Sequence, residues 1–169
     1  MEERKRPDWD EFFMLSAIIA STRSSCIHLQ TGAVIVKDKR IISSGYNGAP
    51  PGIKNCLEVG CRKDREGVPF EDKTKGVCRG IHAELNALVQ VARKDLKDAT
   101  IYSVYLPCSS CVKVIAGSGI KEVVYLKVYD EPNSLANEIF LEAGIILRKI
   151  NIDFDKNLNF IKDIIKSET

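Results

Sequence analysis

Two short stretches of this chain carry residue types that hold metal ions and move protons. In "GIHAELNAL" (Gly80 to Leu88), His82 stands two residues before Glu84; in "LPCSSC" (Leu106 to Cys111), Pro107 precedes Cys108 and Cys111. The chain has only 2 histidines and 6 cysteines, so their placement is informative. Cysteines three apart at the start of a helix share a face and can grip one ion, and a helix N-terminus favours their thiolate forms. With the His82 imidazole as third ligand, the set suits zinc with one position left for water. Glu84 lies about 200° around an ideal helix from His82, so the two do not share a face. At a helix start both can still border one pocket, where a carboxylate shuttles protons for an acidified water. Taken singly, Cys-x-x-Cys also occurs in redox motifs, and a helix-start histidine also serves as a cap. Together they point to hydrolytic chemistry.

The elements between these stretches must bring them together. A helix over "HAELNALVQVARK" (His82 to Lys94) and a strand over "ATIYSVYL" (Ala99 to Leu106) connect them, followed by a helix over "CSSCVKVIAGSG" (Cys108 to Gly119). One helix and one strand are the spacing needed to set two helix N-termini side by side. Upstream, residues 8 to 24 read as an amphipathic helix with Asp8 as N-cap. "GAVIV" (Gly32 to Val36) and "RIISSGYN" (Arg40 to Asn47) read as strands joined by a tight turn at "KDK". Downstream come the strand "EVVYLKV", the helix "NSLANEIFLEAG" and the short strand "IILRKI". A hairpin followed by alternating helices and strands implies an α/β layered fold with a mixed sheet. All of it reads as one domain spanning 1–169. A cysteine-bearing insert occupies about 48–80, and a polar tail with room for a short helix runs from about 152.

Composition narrows the classes. The 169 residues are 44% apolar and 28% charged, ordinary for a globular protein. A net charge of +2 gives no electrostatic footprint for nucleic acid or a membrane surface. The apolar run "MLSAIIA" is too short to span a bilayer, and the acidic "MEERKRPDWDEFF" before it does not suit a signal peptide. A cytoplasmic location is expected. In that reducing compartment the thiols are expected as ligands, nucleophiles or core residues rather than disulfides.

The motifs "TGAVIV", "GYNGAPPG", "HAELNA", "PCSSC" and "SGIKEVVYL" occur in an order that resembles the deoxycytidylate (dCMP) deaminases. They are similar above all to the late-competence-operon members of this zinc-dependent deaminase superfamily, over roughly residues 10 to 150. His-x-Glu followed by Pro-Cys-x-x-Cys is the pattern of its zinc site. The resemblance implies the cytidine deaminase-like three-layer α/β/α fold with a mixed five-stranded sheet. It implies a catalytic zinc on His82, Cys108 and Cys111, and conversion of dCMP to dUMP with Glu84 as the proton carrier. Regulation by dCTP and dTTP with a divalent ion such as Mg2+, and assembly as oligomers, often hexamers, are implied as well. Asn47 aligns with a substrate-binding position, although Asn-Gly is also ordinary turn chemistry. Backbone groups of Ala83 and Leu106 are expected beside the pyrimidine. Tyr129 either packs on the nucleotide or closes the core. Arg93, eleven residues beyond His82 and roughly 16 Å along a continuous helix, serves a phosphate or a neighbouring subunit, or is a solvated charge.

Four further cysteines, Cys26, Cys56, Cys61 and Cys78, flank or lie within the insert. Relatives with a second, structural zinc bind it partly through cysteines matching Cys26 and Cys56. The four thiols together, or three with His28, would pin a loop otherwise too long to stay ordered. The alternative is four small buried hydrophobes. For the chemistry, other substrates (cytidine, dCTP, guanine, a tRNA adenosine, a riboflavin precursor) share the zinc pattern. A non-catalytic, zinc-stabilised nucleotide-binding module is the reading from a different class. Glu84 argues against it, because a structural zinc has no use for an adjacent carboxylate.

Overall fold

The structure is a computed structural model describing residues 6–72, 75–129 and 134–166. Helix α1 (Trp9–Ser21) leads into the hairpin of β1 (Gly32–Lys37) and β2 (Arg40–Tyr46). The insert holds two single turns, α2 (Cys56–Val59) and α3 (Arg62–Arg65). Then come α4 (Ala83–Leu88), α5 (Arg93–Leu96), β3 (Thr100–Tyr105), α6 (Ser109–Ser118) and β4 (Glu122–Lys127). The described chain closes with α7 (Ser134–Glu142), β5 (Ile146–Lys149) and α8 (Phe154–Lys166).

The five strands form one sheet in the order β2-β1-β3-β4-β5. β1 pairs antiparallel with β2 and β3, whereas β3–β4 and β4–β5 are parallel. The hairpin turns on Asp38 and Lys39, both at positive φ (50 and 58), which matches the twist of paired strands. Side chains alternate across the sheet as a period of two requires. Ala33, Ile35, Ile101 and Val123 face α4, α6 and α7 through Ala83, Ala87, Cys111, Val112, Ala136 and Phe140. Val34, Val36, Tyr102, Val124 and Leu126 face Phe13, Met14 and Ala17 of α1. Helices cover both faces, so the expected three layers and mixed five-stranded sheet are what the chain builds.

Two glycines let helices lie unusually close to the sheet. A β-carbon on Gly32 would sit 2.1 Å from the carbonyl oxygen of Ala17 in α1. One on Gly45 would sit 2.3 Å from the Ala83 oxygen and 2.4 Å from the Ala87 nitrogen in α4. Only a residue without a side chain permits that approach.

Three elements differ from the sequence reading. The helix expected from His82 to Lys94 stops at Leu88, where Gln90 Nε2 donates to the Asn86 carbonyl and to Ser44 on β2. Residues 93–96 form a separate turn, so the argument that Arg93 shares a helical face with His82 fails. The segment read as a polar tail forms the 13-residue α8, docked on α1 where Asn157 and Lys156 donate to Glu11. The helix expected from Asn133 is described only from Ser134; Asn133 and Lys73, like Ser167 to Thr169 of the tail, lie outside the described residues.

Candidate active site

Both chemistry-bearing stretches sit at helix starts. His82 is the N-cap of α4 and Cys108 the N-cap of α6, each with extended backbone and no side-chain cap bond. Neither side chain caps its helix, and each projects from a helix end. The residue before His82 is fixed by a two-bond bridge: Ile81 N donates to the Gly48 oxygen at 2.9 Å, and Gly48 N donates to the Ile81 oxygen at 3.2 Å. α4 is tied to β2 by Ser43 Oγ donating to the Ala87 oxygen (2.8 Å) and Asn86 Nδ2 to the Tyr46 oxygen (2.9 Å).

The geometry brings three donors together. His82 Nδ1 lies 3.2 Å from Cys111 Sγ and 3.4 Å from Cys108 Sγ, and the two sulfurs are 3.7 Å apart. One imidazole and two thiols within 4.8 Å of one another form a group able to hold a metal ion. Cys111 is buried, Cys108 partly buried and His82 exposed, so the group opens toward solvent on the imidazole side. The hydrogen bond shared with Cys111 holds the Cys108 thiol down at about 3, against the effect of burial and with help from His82. That shared bond, then burial, push Cys111 up. The pair holds one negative charge readily, and a cation between the sulfurs favours both thiolates.

Glu84 is buried beneath this group. Cys111 Sγ donates to its Oε2 at 3.7 Å, and Ser103 Oγ donates to its Oε1 at 3.3 Å. Burial raises the carboxyl above the usual range, offset by a bond from its own backbone N–H and by the His82 charge. A carboxylate at this depth is costly to keep for packing alone.

Ala83 opens α4 with no exposed surface, and its N–H is among the helix's unpaired leading donors. Leu106 donates its N–H to the Lys127 oxygen at 2.8 Å, which leaves its carbonyl to accept. Asn47 has both ends of its amide engaged: Oδ1 accepts from Thr31 N (2.9 Å) and Nδ2 donates to the Leu29 oxygen (2.7 Å). One amide hydrogen remains for another partner. Tyr129 stands edge-on to Tyr105, the last residue of β3, with ring centroids 6.1 Å apart. Arg93 is exposed and begins α5.

Where the segment before β1 meets the insert, His28 Nε2 contacts both Asp64 oxygens, at 2.9 and 3.0 Å. Buried Cys61 lies within 4.8 Å of both, making a second group able to hold a metal ion. Burial raises the Cys56 thiol, and charges on Cys61, Cys26 and Cys78 raise it further, so the four thiols share one neighbourhood. Among the described residues they do not converge as tightly as the His28 group does.

Residues 7–127 match the family model for the cytidine and deoxycytidylate deaminase zinc-binding region. The chain belongs to this deaminase family. It is 44% identical over 124 residues to the deoxycytidylate deaminase of Mycobacterium phage D29, covering 72% of this chain and 97% of that one. It is 35% identical over 151 residues to ComE operon protein 2 of Bacillus subtilis, covering 88% of this chain and 75% of that protein. A crystal structure of the cyanophage S-TIM5 dCMP deaminase with dCMP and dUMP aligns with TM-score 0.69 at 28% identity, over 86% of this chain and 99% of that chain. In this deaminase, residues that the motifs did not single out take part in the contacts described: Ser103 against Glu84, Asp64 against His28, and Phe70 against His28 and Tyr129. Ser103 was signalled only as a lone hydroxyl in the apolar run "TIYSVY"; Asp64 and Phe70 carried no signal in a charged, irregular insert.

Proposed function

We propose that this protein is a zinc-dependent hydrolase that converts dCMP and water to dUMP and ammonia, supplying dUMP for thymidylate synthesis. The observation that carries the reading is the buried Glu84 against a His82–Cys108–Cys111 donor group, in a chain of the deoxycytidylate deaminase family. The donor set fits zinc: one imidazole and two thiols within 4.8 Å of one another. Zinc bound there supplies the Lewis acidity that lets a water lose a proton near neutral pH.

The chain's own residues do the rest. Glu84 takes that proton and delivers it to the ring nitrogen beside the amino-bearing carbon as the water oxygen bonds to that carbon. It then moves the second proton of that oxygen to the amino group, whose C–N bond breaks to release ammonia and leave the carbonyl. Ser103 holds one carboxylate oxygen, leaving Oε2 toward the donor group. The Ala83 N–H, the Leu106 carbonyl and the remaining Asn47 amide hydrogen are the polar groups we assign to the base and sugar, with Tyr129 against the nucleotide. Arg93 is kept only as a charge for the phosphate or a neighbouring subunit. The buried carboxylate favours an enzyme over a zinc-stabilised binding module.

Finer parts of the reading rest on narrower support. A second, structural zinc is supported by Cys61 with His28 and Asp64, in the neighbourhood of Cys26, Cys56 and Cys78. Control by dCTP and dTTP with Mg2+ finds a candidate site in a cleft of about 310 Å³ lined by Arg23, Ser24, Ser25, Tyr46 and Asn55. No helix among the described residues is long and apolar enough to cross a membrane, in keeping with a cytoplasmic enzyme. Homo-oligomers, hexamers in particular, complete the proposal.

Ammonia release from dCMP, CMP, deoxycytidine, dCTP and guanine, with and without dCTP or dTTP plus Mg2+, tests it. Selective turnover of dCMP is expected. Turnover of another amine overturns the substrate, and no turnover by zinc-loaded protein overturns the enzyme.

A further inference from the structure

The insert carries a clasp that touches neither core cluster. Lys63 in α3 is only 6% exposed, and its ammonium donates to the carbonyls of Phe70 and Asp72 at 2.5 Å each and of Pro69 at 3.5 Å. Three carbonyls stand where the three ammonium protons can reach them, which offsets the burial of this cation. The same ammonium lies 5.5 Å from the Phe70 ring centroid. The backbone of residues 68–72 is thereby wrapped around one side chain, with Val68 N also donating to the Lys63 oxygen at 2.9 Å.

What this loop holds in place is Phe70. Its ring belongs to neither hydrophobic cluster of the fold. It lies instead between His28, at 4.9 Å and tilted 33°, and Tyr129, at 6.0 Å and nearly perpendicular (87°). Tyr129 in turn meets Tyr105 at 6.1 Å and 86°. Tyr105 ends β3 three residues before Cys108, and Tyr129 follows the end of the parallel β4. Ligands of open α/β sheets bind beyond the carboxyl ends of parallel strands. An unbroken run of contacts thus leads from Lys63 through Phe70 and Tyr129 to the strand end that launches Cys108.

We propose that Phe70 is a positioning residue for substrate binding, acting through Tyr129: its ring edge fixes the tyrosine at the mouth of the site. The inference rests on the assignment of Tyr129 to the nucleotide. Because Phe70 does not touch the reacting atoms, it governs KM rather than kcat. An aromatic pair of this geometry is worth about a 2- to 12-fold change in an equilibrium.

The test is steady-state kinetics on dCMP with the full-length zinc-loaded enzyme, zinc content being measured for every variant. Phe70→Leu keeps most of the volume, folds with little penalty and loses the aromatic edge. It is expected to raise KM about 2- to 12-fold, leave kcat within about 2-fold and leave zinc unchanged, while Phe70→Tyr keeps the wild-type KM. Lys63→Met, which releases the loop, should reproduce the Phe70→Leu effect. Phe70→Leu combined with Tyr129→Ala should be no worse than Tyr129→Ala alone, since the first acts through the second. A wild-type KM for Phe70→Leu alongside a raised KM for Tyr129→Ala overturns the inference alone, as do KM effects that multiply in the double variant. An unchanged KM for Tyr129→Ala, or no turnover of dCMP by the wild type, overturns the reading beneath it and the inference together.

Discussion

Gly45→Ala tests whether the closeness of α4 to β2 sets the site. The added β-carbon would lie 2.3 Å from the Ala83 oxygen and 2.4 Å from the Ala87 nitrogen, where ordinary contact begins at 3.4 Å. Both opposing atoms are backbone, so neither can rotate away, and α4 must lift by about 1 Å. Lifting it stretches the 2.8 Å Ser43–Ala87 and 2.9 Å Asn86–Tyr46 bonds and carries Glu84 and His82 away from Cys108 and Cys111. Overpacking of this kind costs about 1–3 kcal/mol, a fall in Tm of about 2–12 °C for a domain of this size. A displacement of ~1 Å at reacting groups lowers the rate on the order of 100-fold. Thermal unfolding and kcat/KM for dCMP read the two effects. Gly117→Ala is the control, since its β-carbon would meet nothing within 4 Å and lies within α6; it should be neutral or stabilising by up to about 1 kcal/mol. A Gly45→Ala enzyme with wild-type Tm and kcat/KM would refute the packing argument.

Arg148 joins α1 to the far edge of the sheet, bonding Asp10 and Glu122, while Tyr102 donates to Asp10 at 2.6 Å. The Arg148 bond holds Asp10 below its ordinary 3.8, so its contribution is present above that pH and lost as pH falls through the lowered value. Arg148→Met should lose about 1 kcal/mol at pH 7, discounted for a half-exposed pair, and the gap to wild type in urea unfolding should narrow below about pH 4. An equal gap at both pH values would contradict it. For the second metal group, elemental analysis should find two zinc ions per wild-type chain. Cys61→Ser should retain one and lower Tm, with the catalytic zinc and kcat largely kept. One zinc per wild-type chain would remove the structural site.

The strands, the hairpin and the placing of His82 and Cys108 at helix starts were legible in the sequence because each is local, whereas the meeting of those two starts, 26 to 29 positions apart, was legible through the zinc motif. Short apolar runs mark the strands, "KDK" marks the turn, and helix starts follow strand ends at short spacing. The end of α4 was not legible, since it depends on Gln90 reaching a carbonyl on β2, a tertiary contact no local pattern encodes. The argument that Arg93 shares a helical face with His82 fell with that helix. α8 was undervalued because its polar residues look solvated until Asn157 and Lys156 meet Glu11 from a helix 145 or more positions away. That Asp64 joins His28 and Cys61 belongs to the same class. Spacing of cysteines shows which thiols share a loop, not which side chains the folded loop turns inward.

The most direct test of the central assignment is Glu84→Ala, measured for zinc content and dCMP turnover side by side with the wild type. General acid–base catalysis by this carboxylate predicts unchanged zinc and a loss in kcat of at least 10²- to 10⁴-fold, roughly. Turnover within a few-fold of wild type, with zinc retained, would show that Glu84 does not carry the proton.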